Sequence, residues 1–254
     1  MEHFTAGPPP EELAARIGKF QSALEKDDID GALIIQKTDL YYFSGTSQQG
    51  WLYIPTSGVP LLMIFKEFDR AKVESSLKNV VSLVSPKKIP EMLKEQGYSL
   101  PSTLGLELDV LPANLYFQFS SIFEGSRIVD VSTPIRLTRA VKSPFEIQRM
   151  RTAAAFSDKV AARFAEILEV GKTEVALAGE LEGYARSLGH QGIVRMRMFG
   201  SELFYGHLIS GPAAAVPSYL ASPTVGAGVS EAIGQGAGFK KINRDEMVLV
   251  DYVF

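Results

Sequence analysis

Short apolar runs and helix-period segments trade places from Gly31 to Val131, and few architectures can bury a chain written that way. Residues 31–36, 51–54 and 60–65 suit buried strands, the last two flanking the turn residues Ser57 and Gly58. Helical and strand patterns then alternate through residues 67–77, 80–84, 89–96, 103–108, 113–123 and 127–131. Ahead of them Leu13, Ile17, Phe20 and Leu24 recur at helical spacing, predicting a first helix that ends near Asp27. The pattern is that of an α/β layer domain.

Near Pro134 the pattern changes, so the expected domains are residues 1–134 and 135–254. Ser143, Pro144 and Glu146 have the spacing of a helix start, with Ser143 as the cap, Pro144 at the first helical position and Glu146 reaching back. Ile147, Met150, Ala154, Val160, Phe164 and Leu168 mark the apolar side of that helix, which Gly171 closes. Thr173 is expected to cap a second helix running to Leu188 and closed by Gly189. Residues 194–210 read as extended, with Leu203, Tyr205, His207 and Ile209 on one side; a Gly- and Pro-rich stretch, 211–238, follows. Residues 247–254, MVLVDYVF, form a strand-like run, apolar except for Asp251. Such a strand exposes an unpaired edge unless more chain covers it, so the second domain reads as unfinished.

Composition narrows the classes. A 46% hydrophobic content in 254 residues can fill a real core. The 26 basic and 29 acidic residues are interspersed, and a net charge of −3 offers no footprint for nucleic acid or an anionic membrane. With no cysteine, disulfides, thiolate metal sites and a cysteine nucleophile are excluded. The N-terminus lacks a basic segment followed by an apolar one, and a cytoplasmic protein is the simplest reading.

Several segments together resemble the creatinase, aminopeptidase P and prolidase branch of the pita-bread metallohydrolases, peptidase family M24. They are the run Ile29, Asp30, Gly31, Ala32, Leu33, Ile34, Ile35, followed by Leu40, Tyr41, Tyr42, Phe43, Ser44, Gly45, and the junction Ile135, Arg136 … Lys142, Ser143, Pro144, Phe145, Glu146, Ile147. Gly171, Lys172, Thr173, Glu174 match the family's helix connection, Ser210 and Gly211 its "Ser-Gly" turn, and Val248, Leu249, Val250, Asp251, Tyr252 the strand that delivers its first metal ligand. The order and spacing of these matches carry the resemblance. It implies a creatinase-like α/β domain followed by the beginning of an α+β pita-bread domain. It also implies two divalent ions (Mn, Co or Zn), a homodimer, and a peptide substrate with proline at its second position.

The family pattern needs two aspartates, a histidine and two glutamates. Only Asp251 has a match, so this chain by itself is expected neither to hold the metal pair tightly nor to hydrolyse peptides. An ionised acid inside an apolar run is costly to bury unpaired, which fits a ligand role for Asp251; a salt-bridged acid at a strand end is the alternative. Where the active peptidases carry a histidine, this chain has Ser218, which donates one hydrogen bond to a substrate but shuttles no proton near neutral pH. His207, on a strand face with Tyr205 and Ile209, is the candidate to take over a catalytic role, against the plainer reading of a satisfied core histidine. His3 and His190 read as solvated. The competing functions are a Xaa-Pro aminopeptidase or dipeptidase, a creatinase-like C–N hydrolase that uses no metal, and a metal-free pita-bread module that binds a protein or peptide.

Overall fold

A computed structural model of the chain describes residues 7–197, 205–218 and 225–254. It contains two compact units, Met1–Phe145 with Met196 and Arg197, and Glu146–Arg195 with the remainder. No helix among the described residues is long and apolar enough to cross a membrane.

In the first unit, helix α1 (Pro10–Lys26) leads into strand β1 (Gly31–Ile34), helix α2 (Lys37–Ser44) and the hairpin strands β2 (Gly50–Pro55) and β3 (Leu61–Ile64). Then come α3 (Phe68–Glu74), β4 (Asn79–Ser82), α4 (Ile89–Glu95), β5 (Thr103–Leu106), α5 (Ala113–Ile122), β6 (Arg127–Asp130) and α6 (Ser132–Ala140). The helix and strand alternation expected from residues 31–131 is present throughout. The sheet order is β4-β3-β2-β1-β5-β6, with β2 antiparallel to both neighbours and every other pairing parallel. Because α6 packs on α1, the compact unit extends beyond Pro134.

The strands of the hairpin and β1 are buried on both faces, and their two-residue period sorts the side chains into two cores. Ala32, Ile34, Leu52, Ile54, Leu62 and Ile64 meet Leu13, Ile17, Phe20 and Leu24 of α1. Leu33, Trp51, Tyr53, Leu61 and Met63 turn the other way, onto Ile89 and Leu93 of α4 and Phe119 of α5. The Leu40–Gly45 segment is helical: the Gln36 side chain accepts from the backbone N–H groups of Thr38 and Asp39, and Gly45 ends the turn at φ 79°.

Two buried carboxyl groups lie at the carboxyl end of this sheet. Glu107 Oε2 accepts the backbone N–H groups of Ile35 (2.7 Å) and Gln36 (2.9 Å). Burial, and the negative charge of Asp39 beside it, push the Glu107 carboxyl well above its ordinary value of 4.5. Asp39 is paired in turn with the guanidinium groups of Arg139 and Arg197; Arg197 Nε lies 2.6 Å from Asp39 Oδ2.

The second unit is built on α7 (Pro144–Ile167), α8 (Glu174–Ser187) and the antiparallel strands β7 (Gly206–Ser210) and β8 (Val248–Tyr252). Thr173 caps α8 as expected, its Oγ1 accepting from Ala176 N at 3.3 Å. Leu177, Ala178, Leu181 and Ala185 of α8 pack against Tyr205 and Leu208, closing a small core with Val160 and Ile167. Ile147 and Met150, expected on the apolar side of α7, are exposed. Of the extended stretch expected at 194–210, residues 198–204, Leu203 among them, lie outside the described residues; among the described ones the strand is Gly206–Ser210.

The Glu107–Asp39 pair yields a test. A carboxyl whose folded pKa is raised contributes stability that is fully present below its ordinary value of 4.5 and lost as pH rises through the raised one. Each unit of displacement is worth about 1.4 kcal/mol. Glu107→Gln keeps an acceptor for the two backbone amides without a titrating proton. Urea unfolding followed by Trp51, the chain's single tryptophan, is expected to lose stability between pH 5 and pH 8 by about 1 kcal/mol or more in the parent relative to Glu107→Gln. Parallel pH profiles would show that Glu107 does not carry the proton.

Candidate functional site

The β7–β8 ladder sets His207 directly opposite Asp251, with Gly206 against Tyr252 and Ile209 against Leu249. Opposed residues of an antiparallel pair share a sheet face, so the imidazole and the carboxylate project side by side. Gly206, at φ 149°, allows the approach: a Cβ there would come within 1.9 Å of the Asp251 carbonyl oxygen. His207 is 1% exposed and Asp251 half-buried. Burial lowers the His207 pKa below its ordinary value, while the Asp251 charge opposes that shift. At neutral pH the imidazole is therefore neutral, the state that accepts a proton or ligates a metal.

Glu174 positions this ladder. Its carboxylate is 1% exposed and receives Ser210 N (2.7 Å), Ser210 Oγ (2.9 Å) and Gly238 N (3.0 Å). Lys240 Nζ donates to the same Ser210 hydroxyl at 2.9 Å and pairs with Glu246. As the first residue of α8, Glu174 also faces the positive end of that helix, which favours an acid there. Past Ser210 a short 3-10 turn, Gly211–Ala215, leads to Ser218, which is half-buried beside the bridge between Pro217 and Val225 and lies on neither strand.

His190 is not solvated, contrary to its sequence reading. It is 8% exposed, its ring 4.1 Å from that of Tyr205 and 5.3 Å from that of Phe254, and its Nδ1 accepts Gly192 N at 2.9 Å. Burial, then the charge of Arg186, lowers its pKa. Two aromatic neighbours far along the chain remove it from water, which a single histidine after a glycine gives no means of foreseeing.

The ladder thus brings together His207 and Asp251. Among the described residues, no group of three or more histidine, aspartate or glutamate side chains is placed to hold a metal ion. One carboxylate and one imidazole are too few donors for a dinuclear centre, so these residues do not by themselves fit the metal pair.

Residues 16–141 match the creatinase/prolidase N-terminal domain, and residues 148–254 match metallopeptidase family M24. Residues 148–254 are thus an M24 metallopeptidase segment. Among curated proteins, the chain is 28% identical over 245 residues to a Xaa-Pro dipeptidase of Pyrococcus furiosus, covering 94% of this chain and 60% of that protein. A Xaa-Pro dipeptidase of Pyrococcus horikoshii is 27% identical over 244 residues, with 93% and 59% covered. Among solved structures, a Xaa-Pro dipeptidase from Bacillus anthracis superposes with a TM-score of 0.76 at 20% identity, over 95% of this chain and 61% of that one. The prolidase from Pyrococcus furiosus gives 0.72 at 24% identity, over 92% and 64%. These likenesses establish the prolidase-type α/β fold. The chain spans about three fifths of the length of these relatives.

Sequence reasoning named His207, Asp251 and the segment containing Glu174, but not the work Glu174 does. Its partners lie 36 and 64 residues away, so no local pattern reports them. Glu174→Ala leaves the buried Ser210 N–H and the half-buried Gly238 N–H without an acceptor, and a loss of about 1–4 kcal/mol is expected in the second unit. Amide exchange at Ser210 and Gly238 reads it; unchanged protection at both would remove Glu174 as the anchor.

Proposed function

We propose that this chain is the front portion of a metallopeptidase that hydrolyses Xaa-Pro peptides, with Asp251 as one metal ligand. The observation that carries the reading is the pairing of Asp251 with neutral, buried His207 on the β7–β8 ladder, inside the segment that matches the peptidase family. The relatives named as Xaa-Pro dipeptidases favour a dipeptide with proline second. In this reading Asp251 offers a hard oxygen donor, His207 accepts a proton or hydrogen bond from the bound peptide, and the Ser218 hydroxyl contacts the substrate. The donors described here do not complete the metal site, so the chain alone binds the ions weakly and turns over no substrate. A homodimer in the cytoplasm is the assembly proposed with it, on the family resemblance.

A second reading, a metal-free module that holds a peptide, is favoured by two observations. Ser218 stands in the place where the family resemblance puts a histidine, and the described residues offer no three-donor group.

Calorimetric titration of residues 1–254 with Mn²⁺, Co²⁺ and Zn²⁺, together with an assay on a Xaa-Pro dipeptide, decides between them. The expected result is one weak metal site, reduced at least about tenfold by Asp251→Asn, the scale of a lost charged contact, and no hydrolysis. Two tight sites would overturn the partial-site reading. Metal affinity unchanged in Asp251→Asn would remove the ligand role. Dipeptide binding that survives a chelator would favour the metal-free module. In a form of the protein that is active, His207→Gln with unchanged turnover would remove the role given to His207.

A further inference from the structure

The turn that follows α8 is shaped around the imidazole of His190. Two backbone bonds close the helix, Gly189 N to Arg186 O (3.0 Å) and His190 N to Ala185 O (3.1 Å), with Gly189 at φ 110°. Two residues on, Gly192 at φ 80° turns its N–H onto His190 Nδ1 at 2.9 Å. Any larger residue at 192 would be strained by that φ, and its Cβ would collide with the Arg186 guanidinium.

The ring also reaches both strands of the ladder. It lies 4.1 Å from the Tyr205 ring and meets that of Phe254 edge-on at 5.3 Å. Phe254 in turn stacks at 4.9 Å on Phe156 of α7. Tyr205 leads into β7 and Val253 leaves β8, and Val253 N donates to Tyr205 O at 2.9 Å, one step beyond the Gly206 and Tyr252 pair. One imidazole therefore touches the end of α8, the entry to β7 and the exit from β8.

That seat suits a single protonation state. Nδ1 accepts the Gly192 N–H with its lone pair, and a proton there would set two N–H groups against each other. The cation so formed would be 8% exposed and close to the Arg186 guanidinium. The groups facing the ring from its neighbours are Arg186 of α8, Tyr205, and, behind Phe254, Phe156 with Lys159 Nζ 4.9 Å from its centroid. Glu182 of α8 faces Tyr205, and among the described residues no carboxylate acts on the imidazole itself. The Val253 backbone favours the charged ring, but burial first and Arg186 second outweigh it.

We propose that His190 is a pH-gated clamp on the Tyr205 and Val253 end of the β7–β8 ladder, closed while its imidazole is neutral and released when Nδ1 takes a proton. Release frees the ladder two residues from His207 and Asp251, while Glu174 keeps the Ser210 end closed. The clamp belongs to the ladder and holds whether or not Asp251 ligates a metal. In the released form the ring meets water and titrates at its ordinary value of 6.5, so the clamp is at full strength above that pH and weakens as pH falls below it toward the lowered value of the clamped ring.

Amide exchange of ¹⁵N-labelled residues 1–254, expressed as protection so that the intrinsic pH dependence of exchange cancels, reads the clamp at Gly192 and Val253. Going from pH 7.5 to pH 5.5 is expected to cut protection at both roughly three- to tenfold, tenfold being the limit for one proton taken up within about one unit below the ordinary value. Leu177 and Leu181, inside α8, should change by less than about twofold on the same scale. His190→Phe keeps a ring between Tyr205 and Phe254 without an acceptor or a charge, and His190→Gln keeps an acceptor without a titrating proton. In each, Val253 protection is expected to be level between the two pH values. Level protection at Gly192 and Val253 in the parent would overturn the proposal, as would an equal fall at Leu177 and Leu181, which reports opening of the whole unit. A fall at Val253 that persists in either variant would also overturn it, because the proton would then belong to another group, His207 being the other buried imidazole of this unit.

Discussion

The first unit depends on one geometric constraint: β1, β2 and β3 have no face left for water. Their side chains alternate between two cores, and a shift of one residue in any pairing would exchange the sets, sending Leu33, Tyr53 and Met63 toward α1 and Ile34, Ile54 and Ile64 toward α4. Both faces therefore need helical cover, which α1 supplies on one side and α4 and α5 on the other. The polar groups at the carboxyl end of the strands follow from the same enclosure. The half-buried backbone amides of Ile35 and Gln36, where the chain leaves β1, both donate to the Glu107 carboxyl. Glu107 then lies beside the equally buried Asp39, and burial together with that neighbouring charge favours the neutral form of Glu107.

The elements of the first unit are legible in the sequence because each carries its own period: four apolar residues at helical spacing for α1, unbroken apolar runs for β1 to β3. The order in which the strands pair is not legible there, since joining β1 to β5 skips over three strands, and no local pattern encodes that choice. The helix Lys37–Ser44 is short, and what defines it is a side-chain cap from Gln36 and a left-handed glycine, signals visible only once the backbone is known. In the second unit Thr173 is legible as a cap because its acceptor role is local. His190 and Glu174 are not, because both act through residues distant in sequence. Asp251 was identifiable as a candidate ligand through the family strand, whereas its position opposite His207 is a matter of register between segments more than 40 residues apart, beyond the reach of residue spacing.

A pair of strands is marginal as an isolated object, so what holds β7 and β8 matters for the chemistry proposed there. Leu208 packs against the buried side of α8, and Ser210, the last residue of β7, is tied to the first turn of the same helix through Glu174. Lys240 and Glu246 extend that tie toward the approach to β8, so one acid fixes the end of one strand and its network borders the start of the other. His207 lies three residues before Ser210 and Asp251 three after Val248, the residue opposite it. The side-by-side placement of imidazole and carboxylate is therefore set from one end of the ladder by hydrogen bonds to Glu174, and at the other by the glycine at position 206 that lets the two backbones meet. A functional pair needs geometry held to about half an ångström, and in this unit that precision rests on a buried acid which itself takes no part in the proposed chemistry.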